Sequence, residues 1–305
     1  MATVPMSRPF FEGFETKVVS VPECDVYLKL GGAGLPVLLL HGYPETHLAW
    51  RHVATRLAKR FTVVVADLPG YGRSVVRTPA TPYEGVSKRW MAGVLAQAMS
   101  KLGLSRFAVA GHDRGGRVAY RLAIDEASHV SALAVLDVIP TLEMVERLTY
   151  ASARRMANWF WLAQASTLPE SMIAALPDQY LRHLIKEWGG EHAVDRDAFE
   201  AYAECLRSPE IVKTMCEDYR AGDRIDIAHE QVDRVRGRHV TCPALILWSE
   251  RGLAIQFGDP LAIWRPWAPR ASGHSLPSGH FIMEEMPEQT ASLLGAFLGD
   301  AMVVQ

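Results

Sequence analysis

The chain of 305 residues is 49% hydrophobic and 22% charged, a globular balance that excludes intrinsic disorder. Its 32 Lys and Arg against 34 Asp and Glu leave a net charge of -2, so nothing in the overall charge points to nucleic acid or to an anionic membrane surface, and a small-molecule role moves forward. Four widely spaced cysteines, Cys24, Cys205, Cys216 and Cys242, form no C-x-x-C pair and read as free thiols rather than a zinc site or a disulfide framework.

In chain order, residues 1–15 lack the basic start and apolar run of a secretion signal, and the most apolar stretch, 35–40, is far short of the ~20 residues that cross a bilayer. A cytoplasmic protein with no membrane partner is expected. Residues 36–40 (PVLLL), 61–66 (FTVVVA), 107–110 (FAVA) and 132–136 (ALAVL) read as strands buried on both faces of a parallel sheet. Helical spacing fills the gaps at 46–59, 84–102 and 114–127, which makes a βαβ series. From Thr141 to Arg238 there is no convincing strand, and the segment reads as a helical insertion. The β pattern resumes at 242–248 (CPALILW), where Pro243 is acceptable only near a strand's start, and a last helix carries Ala291, Leu293, Leu294, Phe297 and Leu298 on one face. The predicted architecture is one α/β core, residues 1–140 and 239–305, split by a helical cap at 141–238.

Residues 108–116 (AVAGHDRGG) run from a strand through Gly111-His112-Asp113-Arg114-Gly115 into a helix, a G-x-nucleophile-x-G elbow with aspartate at its centre. The glycines permit the sharp turn that presents the central side chain at the strand's carboxyl end, beside a helix N-terminus. Alone, such an aspartate is more simply a helix N-cap. Three further motifs in the matching chain order favour the elbow. Leu40-His41-Gly42-Tyr43-Pro44 stands where an oxyanion-hole N–H is supplied, here by Tyr43, with the second from Arg114. Residues 67–74 (DLPGYGRS) fill the loop between these landmarks, and Ser278-Gly279-His280-Phe281 precedes the last helix, where the general base belongs. His274 is a weaker rival for that base. The acid that orients it is Asp137, after the 132–136 strand, with Glu250 as the alternative.

An aspartate nucleophile selects the reaction class. Its carboxylate attacks an sp³ carbon in line and expels a leaving group, and water then hydrolyses the resulting alkyl ester with His280 as base. Arg114 and Arg117 share the first helical turn beside Asp113, where the helix already presents positive partial charge. A small substrate carboxylate would complete that site; the other choice is an internal acid, such as Asp125, Glu126 or Asp113 itself.

These motifs resemble the fluoroacetate, or haloacetate, dehalogenases of the α/β-hydrolase superfamily over nearly the whole chain: 111–123 (GHDRGGRVAYRLA), 136–141 (LDVIPT), 158–164 (NWFWLAQ), 216–222 (CEDYRAG) and 278–281 (SGHF). The resemblance implies an α/β fold with a mostly parallel central sheet, helices on both faces and an inserted helical cap. It implies Asp113 as nucleophile, Asp137 and His280 as acid and base, and Arg114 and Arg117 as a carboxylate clamp. It further implies a halide cradle of residue 158, Trp159 and Tyr219 on the cap, Trp188 near the substrate entrance, and a homodimer. The expected partners are a small haloacid and water, with no metal and no organic cofactor. Position 158 departs from the family's histidine and is Asn158. Fluoride is the poorest halide leaving group and the strongest hydrogen-bond acceptor, so chloro- and bromoacetate are expected to react more readily than fluoroacetate.

Two enzymatic rivals share this chemistry. An epoxide hydrolase needs cap tyrosines, for which Tyr150, Tyr180, Tyr202 and Tyr219 are candidates, but a neutral epoxide leaves the arginine pair without an anion. A haloalkane dehalogenase usually follows its nucleophile with Trp, where Arg114 stands here. A non-catalytic carboxylate sensor is the third alternative, and the complete set of Asp113, Asp137 and His280 weighs against it.

Overall fold

Runs that are apolar at every position belong where a strand is covered on both faces, and they occupy the middle of the sheet. In the computed structural model, which describes residues 10–77, 84–165 and 167–303, the strands are β1 (Glu15–Ser20), β2 (Cys24–Gly31), β3 (Leu35–Leu40), β4 (Phe61–Ala66), β5 (Val75–Val76), β6 (Phe107–His112), β7 (Val130–Leu136), β8 (Ala244–Ser249) and β9 (Ala271–Leu276). Their order is β1-β2-β4-β3-β6-β7-β8-β9, with β5 paired to β2. The strands from β4 to β9 along this order are parallel neighbours, while β1, β2 and β5 join antiparallel.

Alternation along each central strand divides the core in two. Leu38, Leu40, Val109, Leu133, Val135 and Ile246 face one buried cluster; Val37, Leu39, Ala108, Ala134, Leu136 and Leu247 face the other. Trp50 and, from α1 (Arg51–Leu57), Val53 and Leu57 cover the second face. The first is covered by α2 (Lys88–Lys101) through Met91 and Leu95 and by α3 (Asp113–Asp125) through Val118 and Leu122.

Between β7 and β8 the described residues form helices and the turns that join them, with no strand: α4 (Thr141–Glu146), α5 (Tyr150–Arg155), α6 (Ala157–Leu162), α7 (Leu168–Ala175), α8 (Pro177–Trp188), α9 (Arg196–Leu206), α10 (Pro209–Ala221) and α11 (Ile227–Val235). Local chemistry starts these helices. Asp195 caps α9 by accepting the Ala198 N–H, and Ser208 caps α10 by accepting that of Ile211, with Pro209 at the first position. One π-helical turn, Gly222–Asp226, joins α10 to α11 without a break. After β8 come α12 (Pro260–Trp264), α13 (Ile282–Glu285) and α14 (Pro287–Val303), the last adding Leu294 and Leu298 to the second core face.

The structure departs from the sequence reading at the margins. β1, β2, β5 and β9 were not anticipated: β1 is mostly exposed, β9 (ASGHSL) is largely polar, and both lie at sheet edges where no continuous apolar run is needed. β8 begins at Ala244, which leaves Pro243 just outside the ladder. The helix expected over 46–59 is a 3-10 turn, His47–Trp50, followed by α1. All four cysteines are free, and burial pushes the thiols of Cys24, Cys205 and Cys216 up to about 12. No described helix is long and apolar enough to cross a membrane; of the stretch read for a leader, residues 1–9 lie outside the described ones.

Candidate active site

Asp113 is held at the end of β6 in a left-handed backbone conformation, φ 45°, a region that residues with a side chain rarely adopt. The turn closes only because its neighbours are glycine. A Cβ on Gly111 would lie 2.2 Å from the Gly115 carbonyl, and one on Gly115 would lie 2.3 Å from the His41 carbonyl. The elbow thereby sets the Asp113 carboxylate at the start of α3, and its Oδ2 accepts the Tyr43 N–H at 3.1 Å. That contact suits attack by water on the aspartate's own carbonyl, because the oxyanion then develops on an Asp113 oxygen. Burial alone would raise the Asp113 carboxyl, but His280, His112, Arg114 and the Tyr43 N–H outweigh it and hold the group below the usual carboxylate range.

His280 reaches the site from the loop after β9. Its Nδ1 lies 2.6 Å from Asp137 Oδ2, and because a carboxylate can only accept, the proton sits on Nδ1. Nε2 is buried and has no hydrogen-bond partner. Asp137, just past β7 and also left-handed at φ 47°, accepts further N–H groups from Leu253 at 2.9 Å and Ser249 at 3.2 Å. The two alternatives fall elsewhere: Glu250 is exposed and accepts the Ser275 hydroxyl at 3.1 Å, and His274 is exposed on β9.

A cavity of about 30 Å³ brings together Asp113, Arg117, Asp137, Asn158, Trp159, Trp188, Tyr219 and His280, and its remaining wall is apolar: Val138, Ile139, Met144, Met156, Leu253, Ala254 and Phe257. From the helices between β7 and β8, α6 supplies Asn158 and Trp159, α8 supplies Trp188 and α10 supplies Tyr219. The Trp159 and Tyr219 rings meet edge to face at 5.1 Å, and burial together with the Asp113 charge keeps Tyr219 a neutral hydroxyl, well above its ordinary range. Trp188 stands with its ring 5.6 Å from that of His280 and accepts the His280 N–H on its carbonyl at 2.8 Å.

The two arginines expected as a carboxylate clamp are not equivalent in their surroundings. Arg114 is fully buried and ion-paired to Asp218 through Nε at 2.8 Å and Nη2 at 2.7 Å; it does not line the cavity, and only Nη1 is left without a partner. Arg117 does line the cavity and makes no ion pair among the described residues. It donates to Thr141 Oγ1 and, at 3.4 Å, to Met144 Sδ, and its Nε has no partner. Burial, with the Arg114 guanidinium alongside, pushes Arg117 down to about 10. An anion in the cavity would relieve both effects. Neither Asp125 nor Glu126, the internal acids considered from sequence, pairs with Arg114 or Arg117; Asp125 serves Arg89, Arg121 and Arg238.

One contributor to the site was missed from sequence. His112 Nδ1 lies 3.0 Å from Glu45 Oε2 and its Nε2 lies 2.9 Å from the His280 carbonyl, so both ring nitrogens face acceptors. Burial opposes its charge, but Glu45 outweighs that and raises His112 to about 9, leaving a cation behind the nucleophile. Its position, next to the nucleophile in the elbow, was the only available signal, because Glu45 lies 67 residues away in the chain.

The model of the α/β-hydrolase fold family matches residues 36–287. A fluoroacetate dehalogenase from a Burkholderia species is 39% identical over 95% of this chain and 96% of its own length. A soluble epoxide hydrolase from Corynebacterium sp. strain C12 is 30% identical over 84% of this chain and 87% of its own. Among solved structures, an α/β hydrolase from Nostoc sp. PCC 7120 superimposes with a TM-score of 0.91 at 42% identity, covering 94% of this chain and 99% of that one.

Proposed function

The chain belongs to the fluoroacetate dehalogenase family of the α/β-hydrolase fold, and from that premise we propose that it hydrolyses the carbon–halogen bond of small 2-haloacids to the 2-hydroxy acid and halide. The observation that carries this reading is Arg117, a buried cation with no acidic partner among the described residues, in the same small cavity as the nucleophile. A haloacetate carboxylate supplies the missing anion and a neutral epoxide does not. Residues 141–238 act as the cap over a core of 1–140 and 239–305. The family likeness also supports a cytoplasmic homodimer.

In the first step an Asp113 oxygen attacks C2 of the haloacid, the carbon–halogen bond breaks, and halide leaves toward Asn158, Trp159 and Tyr219. In the second, His280 Nε2 takes a proton from water as the water oxygen adds to the Asp113 carbonyl carbon, with the backbone N–H groups of Tyr43 and Arg114 holding the oxyanion. Collapse expels the hydroxy-acid oxygen, which receives the proton from His280; the second proton of the water, left on the Asp113 carboxyl, passes to solvent and restores the carboxylate. Trp188, packed on His280, restricts access to that histidine.

Halide release from fluoro-, chloro- and bromoacetate tests the proposal, and absence of release from all three would end it. Arg117→Met is expected to raise KM for chloroacetate roughly ten- to a hundredfold, the equivalent of about 1.5–3 kcal/mol for a hydrogen bond to a charged group. An unchanged KM would remove the carboxylate from this site. Asn158 bears on the leaving group. Asn158→His is expected to narrow the gap between chloroacetate and fluoroacetate turnover by about tenfold or more, within the 10²–10³ that one preorganised donor contributes in related sites. A gap that stays the same in paired kcat measurements would exclude position 158 from halide contact.

Epoxide hydrolysis is the second reading, favoured by the Corynebacterium likeness and by Tyr219 in the cavity. Of the other tyrosines considered for it, Tyr150 is exposed, Tyr180 bonds Tyr43 and Tyr202 bonds Glu284.

A further inference from the structure

Asp218, the residue before Tyr219 on α10, is fully buried and accepts hydrogen bonds from three separate parts of the core. Arg114 on α3 donates to its carboxylate through Nε at 2.8 Å and Nη2 at 2.7 Å, and the same Nη2 reaches its backbone carbonyl at 2.8 Å. The Tyr71 hydroxyl donates to Oδ2 at 2.7 Å, and Lys88, at the start of α2, ion-pairs with Oδ1. Tyr71 belongs to the loop after β4, which lies flat on α10: at Gly70, φ 83°, a Cβ would stand 2.2 Å from Thr214 Cγ2. The backbone N–H of Lys88 is held at 2.9 Å by Asp226 in the π-helical turn that follows α10.

We propose that Asp218 is a positioning residue, an ionic latch that fastens α10 to the core and thereby fixes Arg114 and Tyr219 for reaction; the positioning part rests on the haloacid reading above. Lys88 and Arg114 are buried cations contributed by the core, and their shared counterion arrives from the cap. Removing one partner of such a group leaves charge buried and uncompensated, so the contact is decisive for whether α10 seats. Two consequences follow from the geometry. Asp218 occupies Nε and Nη2 of Arg114 and leaves Nη1 as its one unpartnered nitrogen. Consecutive helical residues also point about 100° apart, so a helix anchored by Asp218 in the ion cluster presents Tyr219 to the cavity, with its ring 4.3 Å from the Arg114 guanidinium and 5.1 Å from the Trp159 ring. A latch that slips therefore moves the leaving-group donor as well as the cation.

The test is Asp218→Asn in the full chain, read by turnover of the three haloacetates and by hydrogen–deuterium exchange across 209–221. The expected result is a kcat loss of about tenfold for chloroacetate and about a hundredfold for fluoroacetate, the scale of a small misplacement. Exchange in α10 should rise while that in α8 stays the same. Tyr71→Phe removes one donor without altering charge, and is expected to give the same order of losses in smaller measure if Asp218→Asn does not fold. Equal proportional losses across the three acids would reduce Asp218 to a structural contact and overturn its positioning role; unchanged α10 exchange in both variants would overturn the latch. If the unaltered chain releases no halide from any of the acids, the haloacid reading fails and takes the positioning role with it, and exchange still decides the latch.

Discussion

Asp113→Asn is expected to lower halide release from every haloacetate by at least about 10⁴-fold while leaving the fold intact. The amide has the shape of the carboxylate but not its nucleophilic charge, so the first bond to carbon does not form. Two features protect the structure. Asparagine is among the side chains that best tolerate the left-handed backbone found at this position, and its carbonyl can still accept the Tyr43 N–H. Halide assays and thermal melting on the same preparation check both halves. Residual turnover within tenfold of the parent, with an unchanged melt, would mean that another group attacks carbon.

His280→Gln separates the two chemical steps. Displacement of halide by Asp113 needs no base, whereas hydrolysis of the ester depends on the free Nε2. The variant is therefore expected to release about one equivalent of halide per chain in a burst and then stall, with steady turnover reduced by about 10³-fold or more. Mass spectrometry should find one carboxymethyl group on the peptide that carries Asp113. The competing readings give other outcomes. A carboxylate sensor binds chloroacetate reversibly and gains no mass, and an epoxide hydrolase that does not accept haloacids gives no burst. A burst followed by normal turnover would assign the base to another residue.

The parts of this molecule that were legible in sequence are those where one requirement dominates. Strands covered on both faces must be apolar throughout, and so β3, β4, β6 and β7 were readable as runs. The elbow was readable because only glycine fits at Gly111 and Gly115. Edge strands carry no such demand: β1 exposes most of its positions, and β9 needs apolar packing only at its ends. In the site, the choice between Asp137 and Glu250 depended on which strand end faces His280, a matter of sheet order rather than of residue type. The inequality of Arg114 and Arg117 was hidden for a similar reason, because the acid that claims Arg114 lies 104 residues further along the chain and meets it only once α10 packs on the core. The π-helical turn at 222–226 has no composition of its own and could not be foreseen.

The helical insertion leaves the sheet after β7 and returns at β8, and these two strands are paired to each other from Leu133–Ala244 to Leu136–Leu247. Because that pairing is parallel, the insertion leaves at the carboxyl rim, beside Asp137, and re-enters at the opposite rim, where Arg238 donates to Asp125 at the far end of α3. The insertion therefore grips α3 at both of its ends, through Asp218 on Arg114 and through Arg238 on Asp125. Any other insertion placed between these two strands would have to restore both grips, or leave the buried Arg114 without its counterion. Arg117, which lines the cavity from the same helix, would stay with the core through such an exchange.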